Sequence, residues 1–171
     1  MPELRALALA YEAIQDRIVA VVNPGSLDSV SFWLTRRLAL GILDRLPGVL
    51  EASSAATVQA PVEYRRDIAA FEREAAVAGT EGAMTRTDEQ AMRVSAAAAE
   101  LALSLSVTDE NGRVRLDLTG VSGAKASGLL ERAYLQRILH MIAQEVDKAG
   151  WQMRFSLPAQ SPPAAARRRV N

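Results

Sequence analysis

The chain has 171 residues, enough for one domain with a real core. Twenty Lys and Arg balance twenty Asp and Glu, so bulk electrostatics favour neither a nucleic-acid nor a membrane partner. Cysteine is absent, which excludes disulfides, thiolate metal sites and cysteine nucleophiles and fits a cytoplasmic protein; the apolar runs are too short and too interrupted by charge for a transmembrane span.

The first stretch, MPELRALALAYEAIQDR, carries Glu3 and Glu12 and has no cleavage site, so it is not read as a signal peptide. Arg5–Ala13 is rich in alanine and leucine and by propensity suits a helix. An internal repeat overrules that. Sliding the sequence against itself places Leu4 on Glu100 and Leu46 on Ile142 without a gap, an offset of 96. Ala6, Leu7, Leu9, Arg17, Ser26, Ser31, Leu34, Arg36, Ile42 and Leu43 are identical to the residues they meet. Leu7, Leu9 and Tyr11 fall on Leu103, Leu105 and Val107, which alternate with small polar residues as a strand does. A first strand is therefore expected over this stretch. Arg17–Asn23, rich in β-branched residues, is the second strand, and Asn23-Pro24-Gly25 is a turn. Val30, Phe32 and Leu34 alternate with Ser31, Trp33 and Thr35 as a third. Thr35 can cap the helix that follows, which carries Leu38, Ile42 and Leu46. Pro47 is expected to break or kink it, leaving a short helical piece to about Ala52.

Ser53–Ala60 reads as a linker, and Pro61 suits the first position of a linking helix over 61–78. Its apolar stripe is Tyr64, Ile68, Phe71 and Ala75, and Gly79 ends it. Residues 80–93 are polar without periodicity, as expected of a mobile loop. In the second copy, Leu101–Val107 and Val114–Leu118 are alternating strands flanking Asn111-Gly112, a pair suited to a two-residue type I′ turn. That turn sets Glu110 beside Arg113, Thr108 beside Arg115, Val107 beside Leu116 and Leu105 beside Leu118. Gly120–Gly128 then reads as a connection and Leu129–Ala149 as a helix. Leu135, Ile138, Leu139, Ile142 and Val146 are its apolar stripe, with Gln136, His140, Gln144 and Asp147 on the wet side. Lys148, Gly150 and Trp151 predict a Schellman stop. Trp151–Leu157 suits a last short strand, and 158–171 a disordered basic tail.

The expected fold class is α+β: two pseudo-repeated antiparallel β-meander-plus-helix units (βββα), about 4–52 and about 100–150. They are related by a pseudo-twofold and joined by the linking helix within a single domain, 1–157. Asp16–Leu46, with FWLTRR at Phe32–Arg37, resembles an uncharacterised group of small bacterial proteins. In that group a strand pair precedes a WLTRR-like helix start, a middle helix resembles Phe71–Ala75, and a second hairpin leads to a helix ending near a tryptophan. The resemblance spans most of 5–155 and implies no activity, cofactor or site.

No catalytic constellation is visible, so no enzyme, cofactor or metal site is expected. Gly120–Ser127 lies where phosphate loops lie, but Lys125 follows Ala124 rather than a glycine and the motif is incomplete. Ser122 to Lys125 also spells Ser-x-x-Lys without its companion motifs. His140 is the only histidine and reads as a solvated surface residue. Arg36 and Arg37 begin the first long helix, and Arg132 recurs at the matching place; cations there oppose the helix dipole unless a partner rewards them. A structural reward would be an ion pair with Glu63, Asp67 and Glu72 of the middle helix. A functional one would be an interface formed by Trp33, Arg36, Arg37 and Arg132, tryptophan and arginine being enriched at hot spots. The expected function is thus protein–protein interaction, as a homodimer or assembly subunit, with itself or another protein as partner and no membrane. The alternative is a single-stranded nucleic-acid binder using Arg113, Arg115 and the tail arginines Arg167, Arg168 and Arg169.

Overall fold

A computed structural model describes residues 2–78, 89–110 and 112–151. The chain folds as α+β, and the described residues form a six-stranded mixed sheet and five α-helices. Strands β1 (Leu7–Glu12), β2 (Arg17–Val22) and β3 (Val30–Leu34) form an antiparallel meander that leads into α1 (Arg36–Ala52). Helices α2 (Ala55–Gln59), α3 (Arg65–Ala78) and α4 (Glu89–Ala97) follow, with a single 3₁₀ turn at Val62–Tyr64. A second meander, β4 (Glu100–Glu110), β5 (Arg113–Gly120) and β6 (Lys125–Leu130), leads into α5 (Arg132–Lys148).

The strands lie in chain order, and the meanders join through a short parallel contact of Phe32 with Glu100 and Trp33 with Leu101. At the other margin the N-terminal segment runs beside β6: the Leu4 N–H donates to the Ser127 carbonyl at 2.7 Å, and the Ser127 N–H to the Pro2 carbonyl at 3.2 Å. One face of the sheet carries the main core, in which Ile18, Phe32, Leu116 and Leu118 meet Ile42 and Leu46 of α1 and Leu135, Ile138 and Ile142 of α5. The opposite face has a small second core, where Val19, Val21 and Trp33 lie under Met92 and Ala96 of α4.

Leu7–Glu12 is strand, as the repeat demanded against helix propensity. The second hairpin has the expected register, with Glu110 opposite Arg113 and Leu105 opposite Leu118, and Gly112 at φ +85° as the turn requires. The equivalence of Leu7, Leu9 and Tyr11 with Leu103, Leu105 and Val107 is corrected. Leu7, Leu9 and Tyr11 pair with Val22, Ala20 and Ile18. The residues 96 further on from those partners, Leu118, Leu116 and Val114, pair instead with Leu105, Val107 and Asp109. The hairpin loops cause this two-residue slip: residues 13–16 connect β1 to β2, whereas only 111 and 112 connect β4 to β5. The slip is even, so the same face stays inward. Leu103 falls at the register shift between Ala102 and Ser104 and is 67% exposed.

Other expectations need correction. Residues 125–130 are strand, so the second helix begins at Arg132 rather than Leu129, and Gly120–Gly128 closes a β5–β6 hairpin rather than leading into a helix. Small residues with low strand propensity are held there by pairing on both sides, with β5 and with the N-terminal segment. Pro47 does not end α1; the helix runs on to Ala52 because Leu46 and Leu50, on either side of it, are buried in the core. The linker 53–60 contains α2, capped by the Ser54 hydroxyl. The expected stripe of Tyr64, Ile68, Phe71 and Ala75 is not the buried one: Tyr64, in the 3₁₀ turn, is 57% and Phe71 71% exposed, and the buried residues of α3 are Ala69 and Ala76. Small side chains let α3 approach α5 closely, and that approach buries Gln136, which was expected on the wet side. Residues 89–93 belong to α4, whereas 79–88, and 152–171 with the expected last strand and tail, lie outside the described residues.

Candidate functional site

The arginines that open the long helices have partners other than those expected. Arg36 donates to the Trp151 carbonyl at 2.8 Å, just past the end of α5. Arg132 donates through Nη1 to the Ser53 hydroxyl and through Nη2 to the Leu50 carbonyl, at the end of α1. Each helix therefore begins with a guanidinium that reaches the negative end of the other, Arg132 meeting a carbonyl of the last turn of α1 and Arg36 one just past α5. No ion pair joins Arg36 or Arg132 to Glu63, Asp67 or Glu72 among the described residues. Glu72 instead accepts from the Ser54 hydroxyl at 2.8 Å.

Trp151, the buried hydrophobic residue of the expected Schellman stop, completes this corner. Its indole N–H donates to Asp16 at 2.8 Å, the Tyr11 hydroxyl donates to the same oxygen at 2.9 Å, and the Tyr11 and Trp151 rings meet edge to face. These two donors, Trp151 first, hold the Asp16 carboxyl below the usual carboxylate range, with the Arg36 charge adding to them. Trp33 is half-buried in the second core, pointing away from Phe32 and Leu34 as expected but covered by α4. The expected interface set thus divides into an intramolecular packing residue (Trp33), two helix clamps (Arg36 and Arg132) and one exposed cation, Arg37.

Arg113 and Arg115 do lie on the polar strand face, and both are engaged. Arg115 holds Glu110 through two hydrogen bonds, at 2.5 and 2.9 Å. That pairing lowers the Glu110 carboxyl, the Arg115 hydrogen bonds acting first. Arg113 lies 3.2 Å from Glu131 and donates to the Leu129 carbonyl. Arg167, Arg168 and Arg169 lie outside the described residues. In the Gly120–Gly128 hairpin the Ser122 N–H already donates to the Glu100 carboxylate at 2.7 Å, which occupies the place an anion would take. His140 is exposed on α5, beside a cavity of about 220 Å³ between α1, α3 and α5. Into that region the Gln136 side-chain oxygen is buried without a hydrogen-bond partner among the described residues.

A second, larger concavity takes in only Arg37 of the expected site residues. A groove of about 500 Å³ runs between α1 and β4. It exists because β3 leaves β4 after the Trp33–Leu101 pair and turns into α1 at Thr35, whose hydroxyl caps that helix. From Ala102 to Glu110, β4 has β5 on one side and, among the described residues, no strand on the other. Leu38, Ile42 and Leu46 of α1 form one apolar wall and Leu103, Leu105 and Val107 the other. The only charged residues lining it are Arg37 and Arg45. Among the described residues neither forms an ion pair.

The corresponding place at β1 is sealed. There α5 lies along the free edge, and two of its side chains take the edge amides: Leu7 N–H donates to the Tyr134 hydroxyl at 3.1 Å and Tyr11 N–H to Glu145 at 2.8 Å. The α1 residues 96 positions earlier than Tyr134 and Glu145 are Leu38 and Val49, both lining the groove and neither able to accept. Leu105 and Asp109 stand in β4 where Leu7 and Tyr11 stand in β1. The contrast is present in the sequence, as polar Tyr134 and Glu145 on one helix against apolar Leu38 and Val49 on the other, but it has meaning only once helix and edge are known to be neighbours.

No family model, curated protein or solved structure matches the chain. No helix among the described residues is long and apolar enough to cross a membrane.

Proposed function

We propose that this is a non-enzymatic protein–protein interaction module or assembly subunit that receives a partner polypeptide in the groove between α1 and β4. The observation that carries this reading is the open, apolar groove on an unpaired strand edge, where the matching edge of β1 is sealed by side chains. Leu103, 67% exposed at its lip, is a large apolar residue that a bound partner would cover.

The same reading takes the two βββα runs as duplicated units about a pseudo-twofold axis. It is supported by α1 at 36–52 and α5 at 132–148, which keep the 96-residue offset, and by the reciprocal arginine clamps. Duplication followed by loss of the caps in one unit accounts for one sealed and one open edge. The nucleic-acid alternative has less support, since Arg113 and Arg115 are engaged by carboxylates and carbonyls and no aromatic residue accompanies them on β4, β5 or β6.

A photo-reactive amino acid placed at Leu103, in cells that make the protein, is expected to yield a discrete cross-linked protein species. The same group at His140 is expected to yield none. No product from Leu103, or equal products from both positions, would end the reading. Titration of labelled single-stranded DNA and RNA at low and moderate salt is expected to be flat; salt-sensitive binding would revive the alternative.

A further inference from the structure

We infer that the groove takes an extended, acidic segment of another protein as an added strand on β4, an inference that rests on the interaction reading above. The tight β4–β5 turn fixes which groups are free. In a two-residue hairpin the flanking residues, here Glu110 and Arg113, form a hydrogen-bonded pair. Even-numbered residues from Ser104 to Glu110 therefore turn their amides and carbonyls toward β5. Leu105, Val107 and Asp109 turn theirs outward, to the edge that β3 has left. The equivalent outward groups of β1 confirm the parity, because the Leu7 and Tyr11 amides are the ones that meet α5. On β4 the facing residues of α1, Leu38 and Val49, offer carbon alone.

Such an edge is completed by an extended chain, which supplies carbonyls and amides along its length and sets alternate side chains into the groove. An amphipathic helix would bring its own backbone groups already paired and would leave the β4 edge unmet. The apolar walls call for apolar residues at alternate positions of the guest. Arg37 and Arg45, the only charges in the lining, call for acidic residues on the α1 side. The chain's own residues 152–171 are excluded on the same ground: they hold four arginines and no acidic residue.

The test uses the full chain and a displayed library of short random peptides. Enrichment of peptides with alternate apolar residues and intervening Asp or Glu is expected. An enriched peptide, labelled and followed by fluorescence anisotropy, should lose affinity about tenfold or more when its alternate backbone amides are methylated, the loss of one or two hydrogen bonds. On the protein, the Leu38→Tyr/Val49→Glu double variant rebuilds on α1 the caps that α5 carries. It should weaken binding to a similar extent, with circular dichroism and thermal melting confirming an intact fold. Arg37→Glu should do the same at an exposed position, and the same melting measurement separates the effect from a folding defect. No enrichment, helical or basic consensus peptides, or indifference to amide methylation would overturn the strand addition. So would self-association, measured by sedimentation and abolished by Val49→Glu, which would give the edge to a second copy. In each of these cases a cross-link from Leu103 to a partner would leave the broader interaction reading standing.

Discussion

Asp16 collects the indole N–H of Trp151 and the hydroxyl of Tyr11, and so ties the first turn of the sheet to the end of the last helix. Its carboxyl is held below the usual range, so its folded pKa lies under its unfolded one. The stability it contributes is therefore fully present above the ordinary carboxylate pKa and is lost as pH falls through the folded value. Asp16→Asn, which keeps the acceptor oxygen and tolerates the positive φ of 48°, should flatten the acid limb of a stability–pH curve measured by denaturant unfolding. Parallel curves for the two proteins would deny the carboxylate this role. Gln136 sets the opposite case. It is only 8% exposed, and its side-chain oxygen has no partner among the described residues. Leaving such an acceptor unmet costs about 1–3 kcal/mol, so Gln136→Met should raise the midpoint of thermal unfolding; a lowered midpoint would mean that the oxygen is satisfied in solution.

At the scale of elements, the two long helices are locked by reciprocity. Arg36 and Arg132 sit at unfavourable ends of their own helices, and each is rewarded by the far end of the other. Arg132→Met keeps the stem and removes the donors. It should destabilise by about 1.5–3 kcal/mol, the range for hydrogen bonds to a charged group. Urea unfolding measures this, and an unchanged midpoint would show that the clamp contributes nothing net. The second hairpin is pinned by Gly112 at φ +85°. Gly112→Val forces a β-branched residue into that conformation and should cost about 1–3 kcal/mol, again read from urea midpoints, with no change expected if the turn can rearrange.

For the molecule as a whole, the question is how a sheet of six strands ends. At β6 the segment Pro2–Leu4 covers the edge, with the Leu4 carbonyl 2.5 Å from where a Cβ on Gly128 would lie. Leu4 itself is buried in the main core. Leu4→Ala should cost about 2–5 kcal/mol, as for other large-to-small core changes. Gly128→Ala should also destabilise, because it pushes the covering segment off; a neutral Gly128→Ala, judged by thermal melting, would show that the segment yields without loss. At β1 the edge is sealed by α5, and at β4 it is left open beside α1 among the described residues.

Much of the fold follows from sequence because its signals are local or repeated. Strand alternation in Leu101–Leu118, the Asn-Gly turn, the Thr35 cap and the Gly150–Trp151 stop each rest on neighbouring residues, and the repeat carried the strand assignment back to Leu7–Glu12. Tertiary structure decided what depends on distant partners. Residues 125–130 are strand because β5 and the N-terminal segment flank them, although their own composition argues for a loop. The buried side of α3 is its alanines because α5 must come close. Arg36 and Arg132 were legible as anomalies, but their partners lie at the far ends of other helices and no spacing along the chain encodes that distance. The groove is of the same kind: Leu38 and Val49 are ordinary helix residues until β4 runs beside them with its edge unpaired. Hydrophobic periodicity records which side of an element is buried; it does not record which element does the burying, and the candidate site is made of that difference.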